Sequence, residues 1–283
     1  MIGFIGLGNI GAPMARRLLD RPDDLVVMDV SAAATEPFAA AGATVAVTPA
    51  ELAARATVIS VVVQNESQVR DVLEGPDGIL TTAAPRTVVA VHSTISAEGA
   101  AALAQSAARS RVDLIDAPIS GGAMGAHDGT LAVMVGGDAG AVERARPVLE
   151  RYATLVLHCG DVGQGTRMKI ARNLVTFASY VASQEASRLA EAAGLDVAAL
   201  GEVVRHSDKV TGGPGAVMLR PSAAPMANDD GLRPIFGHTA TLGNKDLDLA
   251  IQMGGELGVP TPVSAQARVL LSSALGLEPY PEA

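Results

Sequence analysis

At 283 residues the chain has room for two domains, and a composition 48% apolar but only 2% aromatic calls for an aliphatic core of Ala, Val, Leu and Ile. A formal net charge of −9, no basic run and no Trp exclude a track for a polyanion or a base-stacking platform, so nucleic acid is not an expected partner. One cysteine, Cys159, excludes an intrachain disulfide and suggests a reducing, cytoplasmic setting, and no apolar run approaches the ~20 residues of a membrane span.

The chain opens directly in a strand pattern, Ile2 to Gly6, with no signal peptide expected ahead of it. Gly6-Leu7-Gly8-Asn9-Ile10-Gly11 follows, and Ala12 to Leu19 has a helical pattern. Strand, glycine turn and helix in that order form a dinucleotide cradle: Gly6 permits the turn, Gly8 the approach of a pyrophosphate, Gly11 the packing of helix on strand. A second apolar run, Leu25 to Val30, carries Asp29 at its end, where an acid can accept from a ribose 2′-OH or simply form a turn. With no arginine at Val30-Ser31 the cofactor expected is NAD, and NADP is the second option because a small Ser31 can leave space for a phosphate.

Strands and helices then alternate. Thr44 to Val47 reads as a strand and Thr48 to Arg55 as a helix with Thr48 as N-cap and Pro49 at its first position. The β-branched run Thr57 to Val63 has the pattern of a parallel strand buried on both faces. A helix at Glu66 to Leu73, a strand at Thr87 to Val91 and a helix at Ala97 to Arg109 continue the alternation. Ligands of open α/β sheets bind at the carboxyl ends of strands, which places Asn65, Ser93 and Thr94 toward the cofactor. Val112 to Asp116 is the next strand and leads into Asp116-Ala-Pro-Ile-Ser120-Gly121-Gly122, whose Ser-Gly-Gly can turn its amides to an anion or be an ordinary turn. Leu131 to Gly136, a helix at Ala139 to Arg151 and a strand at Thr154 to Cys159 complete the sheet. On that last strand His158 and Cys159 point to opposite faces, so Cys159 reads as structural.

Past Gly165 the strand signals stop. Thr166 to Ala193 is a long helical pattern closed by Gly194, and another helix starts near Asp196. Lys209 to Pro234, rich in Gly, Pro, Ser and Asn, reads as loops and a candidate lid; Asn244 to Leu257 and Thr261 to Leu275 read as helices. The fold expected is therefore α/β, a Rossmann-type doubly wound, mostly parallel sheet over residues 1–162, followed by an all-α domain over 163–283. At the start of the long helix, Gly163-Gln-Gly-Thr-Arg-Met-Lys169-Ile-Ala-Arg-Asn173 puts Lys169 and Asn173 one turn apart on one face. A lysine among Met168, Ile170 and Ala171 can lose hydration, which lowers its pKa and suits it to proton transfer; the alternative is a solvated surface lysine.

With these motifs in this order the chain resembles the β-hydroxyacid dehydrogenase family, which includes 3-hydroxyisobutyrate dehydrogenases and tartronate semialdehyde reductases. The resemblance covers about Gly3 to Leu275 and rests on the glycine turn, the Asp116 to Gly122 loop, the Gly163 to Asn173 stretch and Lys245-Asp-Leu-Asp-Leu-Ala250. It implies dinucleotide binding by Gly6 to Gly11, a substrate carboxylate held at Ser120, Gly121 and Gly122, Lys169 as general acid/base and Asn173 as a substrate-positioning group. Lys245 would lie by the cofactor, and relatives associate through the long helix, so a homodimer or homotetramer is expected. The implied reaction moves a hydride between the nicotinamide and a small 3-hydroxy acid or its semialdehyde. No metal site is expected.

Three departures bear on the substrate. Arg172 stands where many relatives have the first of two asparagines, His92 stands where many have an acid before Ser-Thr, and His238 aligns with a phenylalanine of several hydroxyisobutyrate enzymes, placing a titratable group in the substrate pocket. Rival readings are a non-catalytic dinucleotide-binding scaffold, against which Lys169 and Asn173 both speak, and an imine reductase of the same superfamily, against which Lys169 speaks. Decarboxylating phosphogluconate enzymes are usually much longer, and a methyltransferase fits the third glycine and the lysine motif less well.

Overall fold

The computed structural model describes residues 1–220, 222–279 and 281. Its sheet is built from β1 (Ile2–Ile5), β2 (Leu25–Met28), β3 (Thr44–Val45), β4 (Val58–Val61), β5 (Val88–Val91), β6 (Asp113–Asp116), β7 (Ile119–Ser120), β8 (Leu131–Gly136) and β9 (Ala153–Gly160). The order runs β3-β2-β1-β4-β5-β6-β8, with β7 and β9 both paired to β8. Strands β3 to β6 in that row are parallel throughout, whereas β8 meets β6 and β7 antiparallel and β9 parallel. The chain therefore reverses its strand order between β1 and β4, the point where a doubly wound sheet opens a crevice for its ligand.

β4 and β5 are buried on both faces, as their unbroken β-branched runs require. Val88 and Ala90 point into one apolar layer with Phe4, Val27 and Ile115; Val89 and Val91 point into the other with Ile5, Ile59 and Leu114. On the flanks lie α1 (Gly11–Arg16), α2 (Ala32–Ala40), α3 (Pro49–Ala53), α4 (Glu66–Glu74), α5 (Ala97–Arg109), α6 (Gly122–Asp128) and α7 (Ala139–Leu149). Thr48 caps α3 by accepting from the Glu51 amide, as its sequence predicts.

Helices α8 (Gln164–Ala192), α9 (Val197–Thr211), α10 (Arg233–Leu257) and α11 (Pro262–Ala274) follow. The chain divides into compact units Met1–Arg172 and Asn173–Ala283, inside α8 rather than at its start. The reason is local: the first turn of α8 is hydrogen-bonded to the end of β6, so the sheet unit keeps it. The second unit has a small buried cluster, Met226, Phe236, Ala240 and Leu275, and α9 and α11 bury no residue fully. Glu185 accepts from the Val263 and Ser264 amides and the Ser264 hydroxyl, which caps the start of α11.

Several elements differ from the sequence expectation. Helix α1 ends at Arg16, short of Leu19. Ile119 and Ser120 form a short strand after the Pro118 break, and the glycine-rich Gly122–Asp128 is helical. Helix α10 starts at Arg233, well before Asn244, with Pro234 in its first turn and the Thr239 and Thr241 hydroxyls bonded back to carbonyls one turn earlier. Gly237, Gly243 and two threonines lower local helix propensity, which hides this start in the sequence. No helix of the described residues is long and apolar enough to cross a membrane.

Candidate active site

The glycine turn leaves β1 at the crevice. Gly6 has φ +94°, and a Cβ there would collide with the Val62 carbonyl; one at Gly11 would collide with the Gly6 carbonyl. Gly8 is different, for a Cβ there meets no protein atom within 4 Å, so nothing in the fold itself demands a glycine. The amides of Gly8, Asn9 and Ile10 make no hydrogen bond among the described residues, while the Leu7 amide donates to Asp29 Oδ2 at 2.6 Å. Three unpaired donors around an open glycine are what a pyrophosphate needs.

Asp29 serves as turn former and as candidate ribose acceptor at once. Its two oxygens take the Leu7 amide and, at 2.8 Å, the Ser31 amide, and each keeps a lone pair for a further donor. Beside it a cavity of about 410 Å³ is lined by Gly6, Gly8, Asp29, Val30, Gln68 and Asp71, among others, with no cation in its wall among the described residues. A dinucleotide's adenosine end fits this chemistry: an apolar slot, a carboxylate for ribose hydroxyls and open amides for phosphate.

Of the strand-end polar residues, Ser93 is buried and occupied, its hydroxyl donating to the Val63 carbonyl at 2.6 Å and accepting the Val63 amide. It therefore fastens β5 to the end of β4 rather than facing a ligand. Asn65 is exposed and caps α4, accepting from the Gln68 amide at 2.9 Å. Thr94 is exposed at the same end of the sheet.

Ser120 stands on β7 opposite Ala132, half-buried, and its hydroxyl makes no hydrogen bond among the described residues. Gly121 and Gly122 follow with φ +130° and +63°, a path closed to most side chains, and start α6.

Asp116, at the end of β6, joins this loop to the lysine helix. It is 1% exposed, and its two oxygens accept the Gly163 and Thr166 amides, each at 2.7 Å. The carboxylate thus caps the first turn of α8 from another element, satisfying donors that a helix start leaves open. Gly165 makes this docking feasible: a Cβ there would collide with the Met134 carbonyl and lie 2.8 Å from the Asp116 carbonyl oxygen. The sequence exposes Asp116 as the first residue of its motif but not its role, because nothing in local spacing ties it to residues about fifty positions later.

One turn after Thr166, Lys169 is half-buried, and its pKa is lowered by loss of hydration and, secondarily, by the Arg172 charge. Asn173, also half-buried, follows one turn on along the same helix. In the second unit, Lys245 lies on α10 at a cavity of about 530 Å³ with Thr241, Asn244, Asp248, Leu249 and Gln252, its ammonium 3.2 Å from Asp246. His238 is exposed on the same helix, two turns before Lys245 and so on nearly the same face. Cys159 is partly buried, which pushes its thiol up and makes it a poor nucleophile, as a structural role requires. Among the described residues no cluster of three metal-ligating side chains occurs.

A glycine turn with open amides, a strand-end carboxylate and a half-buried lysine fit a nicotinamide-dependent oxidoreductase. The comparisons agree. Residues 1–160 match the family described as the NAD binding domain of 6-phosphogluconate dehydrogenase, and residues 163–278 match the family described as NAD-binding of NADP-dependent 3-hydroxyisobutyrate dehydrogenase. An uncharacterized oxidoreductase of Mycobacterium tuberculosis is 49% identical over 99% of this chain and 95% of its own length. The 3-hydroxyisobutyrate dehydrogenase of Pseudomonas aeruginosa is 36% identical over 96% of this chain and 91% of its own. The crystal structure of an oxidoreductase from Mycobacterium avium 104 superposes with a TM-score of 0.93 at 46% identity, covering 98% of both chains. An imine reductase from Streptomyces aurantiacus, at 20% identity and TM-score 0.75, shares the fold. The chain belongs to the β-hydroxyacid dehydrogenase family.

Proposed function

We propose that the protein interconverts a small 3-hydroxy acid and its semialdehyde with NAD, using Lys169 as general acid/base. The observation that carries this reading is the Asp116 clamp, by which one strand end leads into the Ser120 loop and also anchors the helix of Lys169. The bound nicotinamide supplies hydride acceptance or donation. In oxidation the neutral Lys169 amine takes the hydroxyl proton, and in reduction the ammonium returns it to the carbonyl oxygen. Burial favours the neutral form that oxidation requires. Ser120 and the Gly121 and Gly122 amides hold the carboxylate, and Asn173 orients the reacting carbon.

The test is turnover of a panel that includes 3-hydroxyisobutyrate, L-serine, 2-(hydroxymethyl)glutarate and the matching semialdehydes. No turnover of any of them removes the assignment. Ser120→Ala should raise KM for the best acid more than it lowers kcat, since carboxylate binding is common to ground and transition states. An unchanged KM places the carboxylate elsewhere.

NAD is the preferred cofactor. Asp29 accepts from a 2′-OH and repels a 2′-phosphate, and the cavity wall around it offers no cation among the described residues. A charge-assisted hydrogen bond of about 1.5–3 kcal/mol corresponds to roughly ten- to a hundred-fold in affinity. Equal kcat/KM with NADP would remove this preference.

The working form is a homo-oligomer. On α8, Leu174, Phe177, Tyr180 and Val181 are 71%, 59%, 65% and 59% exposed, an apolar stripe at helical spacing that a second copy would cover. Phe177→Glu with Tyr180→Glu should turn the assembly into monomers by light scattering; a monomeric parent protein at micromolar concentration would refute the idea.

A further inference from the structure

His92 follows the last residue of β5, and its imidazole is 3% exposed. Its Nδ1 lies 2.7 Å from the Ala117 carbonyl, which can only accept, so Nδ1 carries the proton. Nε2 is then an acceptor, and the Tyr152 hydroxyl donates to it at 3.1 Å. Tyr152 is itself fully buried and accepts the Ser60 hydroxyl, again at 3.1 Å. The chain Ser60, Tyr152, His92, Ala117 runs in one direction with every buried donor and acceptor matched. The Ala117 carbonyl at its end sets this direction and with it the tautomer of His92. Burial also holds His92 neutral, its pKa lowered to about 4.

Ala117 is the last residue before Pro118, which has no N–H and ends the parallel pairing of β5 with β6. The Ala117 amide still donates to the Val91 carbonyl at 2.8 Å, and the Pro118 carbonyl accepts the Met134 amide at 3.0 Å. Between those two bonds the Ala117 carbonyl has no strand donor left, and the His92 ring supplies one. Three residues later stands Ser120. The ring thus fixes the chain at the point where it leaves the sheet for the loop read above as the carboxylate site.

We propose that His92, set in its Nδ1–H tautomer by the Ala117 carbonyl and held in place at Nε2 by Tyr152, is a positioning residue that sets Ser120, Gly121 and Gly122 for the substrate carboxylate. The proposal rests on the reading of that loop as the carboxylate site. Without the Tyr152 hydroxyl the buried Nε2 lone pair has lost its donor, and the ring is no longer held from that side against the Ala117 oxygen. Tyr152→Phe removes that one atom and keeps the ring packing. His92→Leu removes the donor, and His92→Asn restores an N–H close to the Nδ1 position.

The experiment measures KM and kcat with the acid of the panel that has the highest kcat/KM, NADH affinity by fluorescence, and Tm, for these three variants and Ser120→Ala. His92→Leu should raise KM about ten-fold and Tyr152→Phe several-fold, with kcat and NADH affinity within about three-fold of the parent; His92→Asn should restore most of KM. A purely structural role predicts lower Tm with no selective change in KM, and that result overturns the proposal. So does His92→Asn being as impaired as His92→Leu. If His92→Leu does not fold, a native KM in Tyr152→Phe overturns it alone. An unchanged KM in Ser120→Ala, by contrast, removes the carboxylate site itself, whereas a raised KM there with native values in the His92 and Tyr152 variants removes only the positioning role.

Discussion

Lys169→Ala should lower kcat by about 10²–10⁴-fold, the usual contribution of general acid–base catalysis. NADH affinity should stay near the parent value, because the open amides of the glycine turn and Asp29 lie on other elements. Lys169→Arg should be almost as inactive, since a guanidinium stays protonated and cannot accept the hydroxyl proton. The sign of the pH effect follows from the same group. Oxidation needs the neutral amine, so its rate climbs with pH through the lysine pKa; reduction needs the ammonium and falls over the same range. Loss of hydration and the Arg172 charge move both limbs to lower pH than an exposed lysine would show. In Lys169→Ala the limb should vanish. Native kcat in that variant would identify Lys169 as a solvated helix lysine and restore the scaffold alternative.

Asp116→Ala should clearly destabilise the sheet unit. It removes two charge-assisted hydrogen bonds and leaves the Gly163 and Thr166 amides buried without partners. At roughly 1.5 kcal/mol or more for each bond the expected loss is about 3 kcal/mol, on the order of 10 °C in Tm. Turnover should fall as well, because a shift of about 1 Å in a catalytic group can cost as much as 10²-fold. Asp116→Asn keeps one accepting oxygen and should fall between parent and alanine variant. Calorimetry with parallel steady-state kinetics separates the two effects; an unaltered Tm in Asp116→Ala would mean that the carboxylate does not anchor the helix.

Local chemistry made much of the fold and site legible. The run Thr57 to Val63 announces a strand buried on both faces because β-branched residues suit a pleated surface and no polar face interrupts them. The spacing of Gly6, Gly8 and Gly11 marks the turn, in which Gly6 takes a left-handed φ and Gly11 passes too close to the Gly6 carbonyl for a side chain. Lys169 and Asn173 are legible as a pair because a helix repeats its face every turn. The same local cues misplaced the start of α10, where Gly237, Thr239, Thr241 and Gly243 argue against a helix. The hydroxyl bonds to earlier carbonyls and the burial of Phe236 and Ala240 carry it through.

The amino-acid sequence by itself determined the alternation of strands and helices, the cradle at Gly6 to Gly11, the acid at Asp29 and the lysine on its helix. Each of these depends on residues within a turn or two of one another, where backbone preference and side-chain period act directly. Only the tertiary structure decided that Asp116 caps the lysine helix, that Ser93 is taken by Val63, and that Ser60, Tyr152 and His92 form one directed chain. Those bonds join residues 30 to 92 positions apart. Their partners are chosen by burial, because a polar group shut away from water must find whatever donor or acceptor the packed sheet brings to it.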